Sequence, residues 1–234
     1  MHVVAMVARK GGVGKTTLAG HLAVEAERAG DGPVAVVDTD PQGSLTDWWN
    51  VRSAPTPAFV QTTLDRLEQD LDQLRGLGTK MVIIDSPSAL TGAISNVVKV
   101  ADLVVIPTRP SPHDVRALSA TVELVEHLGK PLVFVINAAV PRTRITTETI
   151  SLISAYGPMA PTSIGHRIDF ASSMIDGRTV MELPGRSKSS SEISELWAYV
   201  RGRVKGNFQP RQLPTLSASA DVIDLFGLND ARTG

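Results

Sequence analysis

The stretch Val3-Val4-Ala5-Met6-Val7, running through Ala8-Arg9 into Lys10-Gly11-Gly12-Val13-Gly14-Lys15-Thr16-Thr17, decides the fold. Its first five residues are all apolar and read as a strand buried on both faces. The glycines that follow let successive backbone N–H groups turn inward. From Thr17 to Ala29 a helical pattern carries Leu18 and Leu22 on one face before it stops at Gly30. Strand, glycine-rich loop and helix in that order suit a bound phosphate, because the helix N-terminus adds positive potential to the inward N–H groups. Lys15 would then reach the β and γ phosphates of a nucleotide, and the Thr16 hydroxyl would ligate Mg²⁺. Gly11, Gly12, Val13, Gly14 and Thr17 complete the cradle.

The alternation of elements continues along the chain. Val34–Val37, Met81–Ile84, Leu103–Ile106 and Leu132–Ile136 are further short runs apolar on both faces. Between them, Thr63–Leu74 places Leu64, Leu67, Leu71 and Leu74 on one helical stripe, and Asp114–Leu128 does the same with Leu118, Val122 and Val125. The pattern predicts an α/β fold: a single domain with a doubly wound, mostly parallel sheet and helices on both faces. Ser189-Ser190-Ser191-Glu192 reads as a capping box. It opens a last helix with Ile193, Leu196, Trp197, Val200 and Val204 on one side. Residues 1–207 are expected to form the domain. From residue 208 the composition turns to Pro, Ser, Thr and Asp, so 208–234 are expected to be a poorly ordered acidic tail.

A length of 234 residues suits one large domain. With no cysteine, a disulfide framework, a Cys-ligated metal or cluster and a thiol nucleophile are excluded. No run approaches the roughly 20 apolar residues that span a bilayer, and the first residues lack the pattern of a secretory signal, so a soluble, cytoplasmic protein is expected.

Carboxylates stand at the ends of two strands, where the ligand crevice of a doubly wound sheet lies. Asp85, at the end of an apolar run, suits a carboxylate that holds Mg²⁺ through water, since Mg²⁺ keeps several waters and few protein ligands. Asp38 and Asp40 end the second run in Asp38-Thr39-Asp40-Pro41-Gln42. Asn137, closing the run Phe134-Val135-Ile136, offers a donor and an acceptor together and so suits the N6 and N7 edge of adenine.

The second lysine, Lys10, sits five residues before Lys15, and with it the chain resembles the ParA/MinD family of deviant Walker A P-loop ATPases over about residues 2–206. The resemblance implies ATP and Mg²⁺ as ligands and a homodimer formed on ATP binding, in which Lys10 crosses to the partner's nucleotide. It implies that Asp85 is the Walker B carboxylate and Asp40 the switch I residue that orients the attacking water. Asp38 is then a Mg²⁺-shell or loop-ordering residue, and Asn137 is the adenine reader. The family's switch II often reads Asp-x-Pro-Pro, whereas this chain has Asp85-Ser86-Pro87-Ser88. Arg167 and the segment Gly177–Glu182 are expected to be structural, tying elements together by ion pairs. Trp48 and Trp49, just after switch I, are expected to pack against the domain.

Charge is polarised beneath a net of −1: residues 1–127 carry −4, 128–211 carry +5 and the remainder −2. Arg186, Lys188, Arg201, Arg203 and Lys205 gather around the last helix. They can neutralise DNA phosphates without reading bases, as the C-terminal region of ParA relatives does in the ATP-bound dimer, or simply meet the helix dipole. Only nine residues precede Lys10, so an N-terminal helix-turn-helix is not expected.

The leading expectation is a small ParA-type ATPase that partitions or positions a plasmid or cellular cargo. It would bind DNA nonspecifically, associate with the nucleoid in its ATP form, and hydrolyse ATP when stimulated by a ParB-like or adaptor protein. A MinD-like membrane-cycling ATPase is the first alternative; the acids flanking Val222–Phe226 weigh against it, and no membrane partner is expected. A metabolic P-loop synthetase is the second.

Overall fold

The computed structural model describes residues 1–88 and 91–206. The expected tail, 208–234, lies outside the described residues. In chain order the elements are β1 (His2–Met6), α1 (Lys15–Arg28), β2 (Val34–Asp38), α2 (Ser44–Asn50), β3 (Ala58–Gln61), α3 (Leu67–Gly76), β4 (Met81–Asp85), α4 (Thr91–Val100), β5 (Leu103–Thr108), α5 (Pro112–Arg116), α6 (Ser119–His127), β6 (Leu132–Ile136), α7 (Arg144–Ser154), α8 (Ile168–Met174) and α9 (Lys188–Lys205). The six strands form one sheet in the order β3-β2-β4-β1-β5-β6, and every pairing is parallel. The doubly wound expectation is met.

The continuous apolar runs follow from burial on both faces. Val4, Met6, Val34, Val36, Ile83 and Val105 point to a core with Leu18 and Leu22 of α1 and Leu196 and Trp197 of α9. Their sequence neighbours Val3, Ala5, Ala35, Val37, Ile84 and Val104 point the other way, to Leu71 of α3, Ile94 and Val97 of α4 and Val125 of α6. Successive strand residues alternate faces, so each strand serves both cores. Burying one Leu completely, as at Leu18 and Leu22, contributes about 2 kcal/mol.

Several expectations are corrected. β3 was not anticipated, because it is a four-residue edge strand exposed at both ends. The helix expected from Asp114 to Leu128 divides into α5 and α6. At the join, Ala117 and Leu118 donate to carbonyls three residues back, Asp114 O and Val115 O, both at 3.1 Å, which tightens the turn. The capping box of α9 is built from Ser187 and Ser190, each side chain bonded to the other's backbone N–H at 3.0 Å. Glu192 is unavailable for capping, because its carboxylate accepts from Gly165 N at 2.9 Å and from Arg167 at 2.7 Å.

His21 of α1 is fully buried, edge-on to Phe170 at 5.4 Å, and its Nδ1–H donates to the Thr17 carbonyl at 2.8 Å. Burial holds its pKa down at about 4, against the pull of the Thr17 carbonyl and of Glu182. Its neutral form therefore stabilises the fold fully above the unfolded value near 6.5, and that contribution is lost as pH falls toward 4. Denaturant unfolding of wild type and His21→Leu should show their stability difference moving by about 3 kcal/mol between pH 7 and pH 4, at the expense of the wild type. A difference independent of pH would show that His21 is not the titrating group.

Candidate functional site

Register brings the chemistry to one edge of the sheet. Met6 pairs with Asp85 on one side of β4 and Asp38 pairs with Asp85 on the other, so the loop after β1 and both aspartates lie in one row. The loop turns through Gly12 at φ 75° and Gly14 at φ 95°. At Gly14 a Cβ would lie 2.1 Å from Asn137 Nδ2, so only glycine fits there. Asn137 braces the loop by donating from Nδ2 to the Val13 carbonyl at 2.7 Å. No side chain caps the N-terminus of α1, which leaves its first N–H groups available to an anion.

Lys15 turns into this crevice, 6% exposed, and its Nζ donates to Ser88 Oγ at 2.7 Å. Burial lowers its pKa while Asp85 and Asp40 pull it back up. Thr16 Oγ1 donates to Asp85 Oδ2 at 2.5 Å, and Asp85 Oδ1 is buried with no partner. Burial pushes the Asp85 carboxyl up to about 7; nearby Asp38 and Asp40 add to the rise, and Thr16 and Lys15 oppose it. A carboxylate oxygen without a partner beside a threonine hydroxyl fits Mg²⁺, a hard cation that takes oxygen ligands and completes its octahedron with water and phosphate. Among the described residues no group of three or more His, Asp or Glu side chains is placed to hold a metal by itself.

Of the two roles open to Asp38, the contacts seen are the ordering ones. Its Oδ1 accepts from Asp40 N at 3.0 Å, and its Oδ2 accepts from Thr46 N at 2.9 Å and Thr46 Oγ1 at 2.7 Å. Both oxygens are thus engaged in holding the β2–α2 loop. Asp40, half-buried on that loop, accepts from Gln42 N at 3.0 Å. Trp48 packs as expected, 4% exposed with its indole N–H on the Arg178 carbonyl at 3.1 Å, and Trp49 stacks on Phe59.

Lys10 forms an ion pair with Asp114, which is 4% exposed and whose Oδ2 has no partner. The two residues border a cavity of about 390 Å³ that is also lined by Arg109, Val140, Thr146 and His166. Asp114 was not anticipated as a site residue. Its signal is position alone, just beyond the end of β5.

The cations around α9 do not form one patch. Arg186 and Lys188 are exposed near its start, Lys188 within the helix rather than ahead of it, while Lys205 lies about 25 Å along the axis. At that far end Lys205 and Arg201 pair with Asp31 at 2.5 and 3.6 Å, and Arg203 between them is half-buried. Burial works against ionisation of Asp31, but hydrogen bonds from Lys205 and Trp197 outweigh it and hold the carboxyl below its usual range. The structural expectations for Arg167 and Glu182 hold: Arg167 pairs with Glu192, and Glu182 pairs with the buried Arg52 at 2.6 Å.

A parallel sheet carrying a glycine loop, an inward lysine and two strand-end aspartates defines a phosphate-loop nucleotide-binding domain. The chain belongs to the family of the CobQ/CobB/MinD/ParA nucleotide binding domain, whose model matches residues 4–180. The maintenance of carboxysome distribution protein A of Halothiobacillus neapolitanus is 30% identical over 199 residues, which cover 80% of this chain and 90% of that protein. Among solved structures, the ATP complex of a Cyanothece McdA variant aligns with a TM-score of 0.68 at 17% identity, covering 90% of this chain and 99% of that one. MinD from Pyrococcus horikoshii complexed with Mg-ADP aligns with a TM-score of 0.70 at 15% identity, covering 85% and 95%. Among the described residues no helix is long and apolar enough to cross a membrane.

Proposed function

We propose that this protein is a Mg²⁺-dependent ATPase that dimerises around ATP, binds DNA without sequence preference in that state, and hydrolyses ATP when an adaptor protein engages it, so as to position a cargo. The observation that carries this reading is the pair of lysines on one phosphate loop, Lys15 turned into the crevice and Lys10 turned outward to the rim of the neighbouring cavity. The carboxysome-distribution relative favours a cellular assembly over a plasmid as that cargo.

In this reading Gly11 to Gly14 and the first N–H groups of α1 hold the phosphates, and Lys15 neutralises them. Thr16 and Asp85 would hold Mg²⁺, which would supply charge neutralisation to the phosphates when bound. Asp38 keeps the switch loop folded so that Asp40 can orient the attacking water. Asn137, whose Nδ2 is committed to Val13, offers Oδ1 to the adenine amino group. Lys10 must leave Asp114 to reach a partner's nucleotide, so dimerisation is coupled to the breaking of an ion pair. Arg186, Lys188, Arg201, Arg203 and Lys205 contact DNA phosphates, with Arg186 and Lys188 contributing most because Arg201 and Lys205 already share Asp31. Association with the nucleoid in the ATP form follows.

DNA binding measured with ATP, with ADP and without nucleotide across a salt series tests the reading. Binding is expected with ATP alone, and its affinity should fall with salt at a log–log slope of about −0.9 per phosphate contacted. Equal binding in all three states, or binding insensitive to salt, would overturn it.

A further inference from the structure

Ser88 stands where the family pattern often has proline, and its side chain reaches into the phosphate crevice. Its Oγ accepts from Lys15 Nζ at 2.7 Å and would be 3.8 Å from a Cβ built on Gly11, so the hydroxyl hangs over the phosphate loop beside the ammonium that meets the phosphates. Ser86, two residues earlier, is fully buried and its hydroxyl donates to the Pro87 carbonyl at 3.4 Å, whereas the Ser88 hydroxyl meets Lys15.

We propose that Ser88 is a positioning residue that reads the third phosphate: with ATP bound, its hydroxyl donates a hydrogen bond to a γ-phosphate oxygen, a contact that ADP cannot offer. The proposal rests on the assignment of the crevice as an ATP site.

The chemistry follows from counting donors. An ammonium has three N–H donors and no acceptor, so Lys15 can keep Ser88 Oγ on one and give two to phosphate oxygens. A serine that accepts from Lys15 still has its own O–H to donate, and the strongest acceptor a nucleotide would bring to that place is a phosphate oxygen held by the same ammonium. A hydroxyl donating to an anionic oxygen forms a charge-assisted bond, stronger than one between neutral groups. Ser88 is three residues from Asp85 at the end of β4, so the same contact would tie the segment after β4 to the presence of the γ-phosphate. A proline at this position has no hydroxyl and could not make it.

Calorimetric titration of the full chain with Mg²⁺ and either ADP or a non-hydrolysable ATP analogue, for wild type, Ser88→Ala and Ser88→Thr, tests the proposal. Ser88→Ala should weaken the ATP analogue about tenfold and ADP less than twofold, and Ser88→Thr should restore the analogue to within about threefold of wild type. Equal weakening of both nucleotides by Ser88→Ala would overturn the proposal, as would tightening of both, which would make Ser88 a plug rather than a sensor. If wild type binds neither nucleotide, the assignment of the crevice itself fails, and that result is distinct from either of these.

Discussion

Lys15→Ala is expected to abolish nucleotide binding, raising the Kd for ATP by at least about 10²-fold in a calorimetric titration. The size follows from what surrounds the side chain. The residue is 6% exposed, and Asp85 and Asp40 are its charged neighbours. Without it, the phosphates of ATP would enter beside Asp85 and Asp40 with the ammonium that offsets those carboxylates gone. The fold should survive, because the side-chain hydrogen bond lost is the one to Ser88. An alanine variant that binds ATP within about threefold of wild type would contradict the assignment.

Asp40 gives the opposite signature. Asp40→Ala should bind ATP nearly as wild type does, yet lose turnover by about 10²- to 10³-fold, the range that removal of a positioned acid–base group commonly produces. Asp40 also accepts from Gln42 N, so alanine could slow hydrolysis simply by loosening the loop. Asp40→Asn separates these effects, since its amide oxygen can keep the Gln42 bond while the carboxylate is gone. Both variants should therefore be slow. Recovery of turnover in Asp40→Asn would make the residue a loop brace, and unchanged turnover in both would remove it from the reaction.

What was legible in the sequence is what is local or strictly periodic. The phosphate loop is contiguous from Lys10 to Thr17, and the central strands are apolar at every residue because both faces are buried. Elements whose inward faces are not apolar escaped. The buried side of α7 includes Thr146 and Thr149, and α8 buries Phe170 and Ser173 while leaving Ile168 81% exposed, so neither carries the stripe that marks a core-facing helix.

The site divides in the same way. Asp38, Asp40, Asp85 and Asn137 could be placed because strand ends mark the crevice, but their partners could not. Lys10 and Asp114 are 104 residues apart in sequence, Lys15 and Ser88 are 73, and no spacing rule connects them. The spatial spread of the basic residues is equally hidden in the sequence, because 18 residues of α9 separate its ends and Asp31 reaches over from the turn after α1.

The central claim is that ATP brings two copies together, and a light-scattering mass measurement on Asp40→Ala with Mg²⁺ tests it most directly, because slow hydrolysis preserves the ATP state. The mass should be near twice the 24.9 kDa of one chain with ATP, fall to one chain with ADP, and remain at one chain with ATP when Lys10→Ala is added. A single-chain mass with ATP bound, or a dimer that forms equally with ADP, would contradict the account.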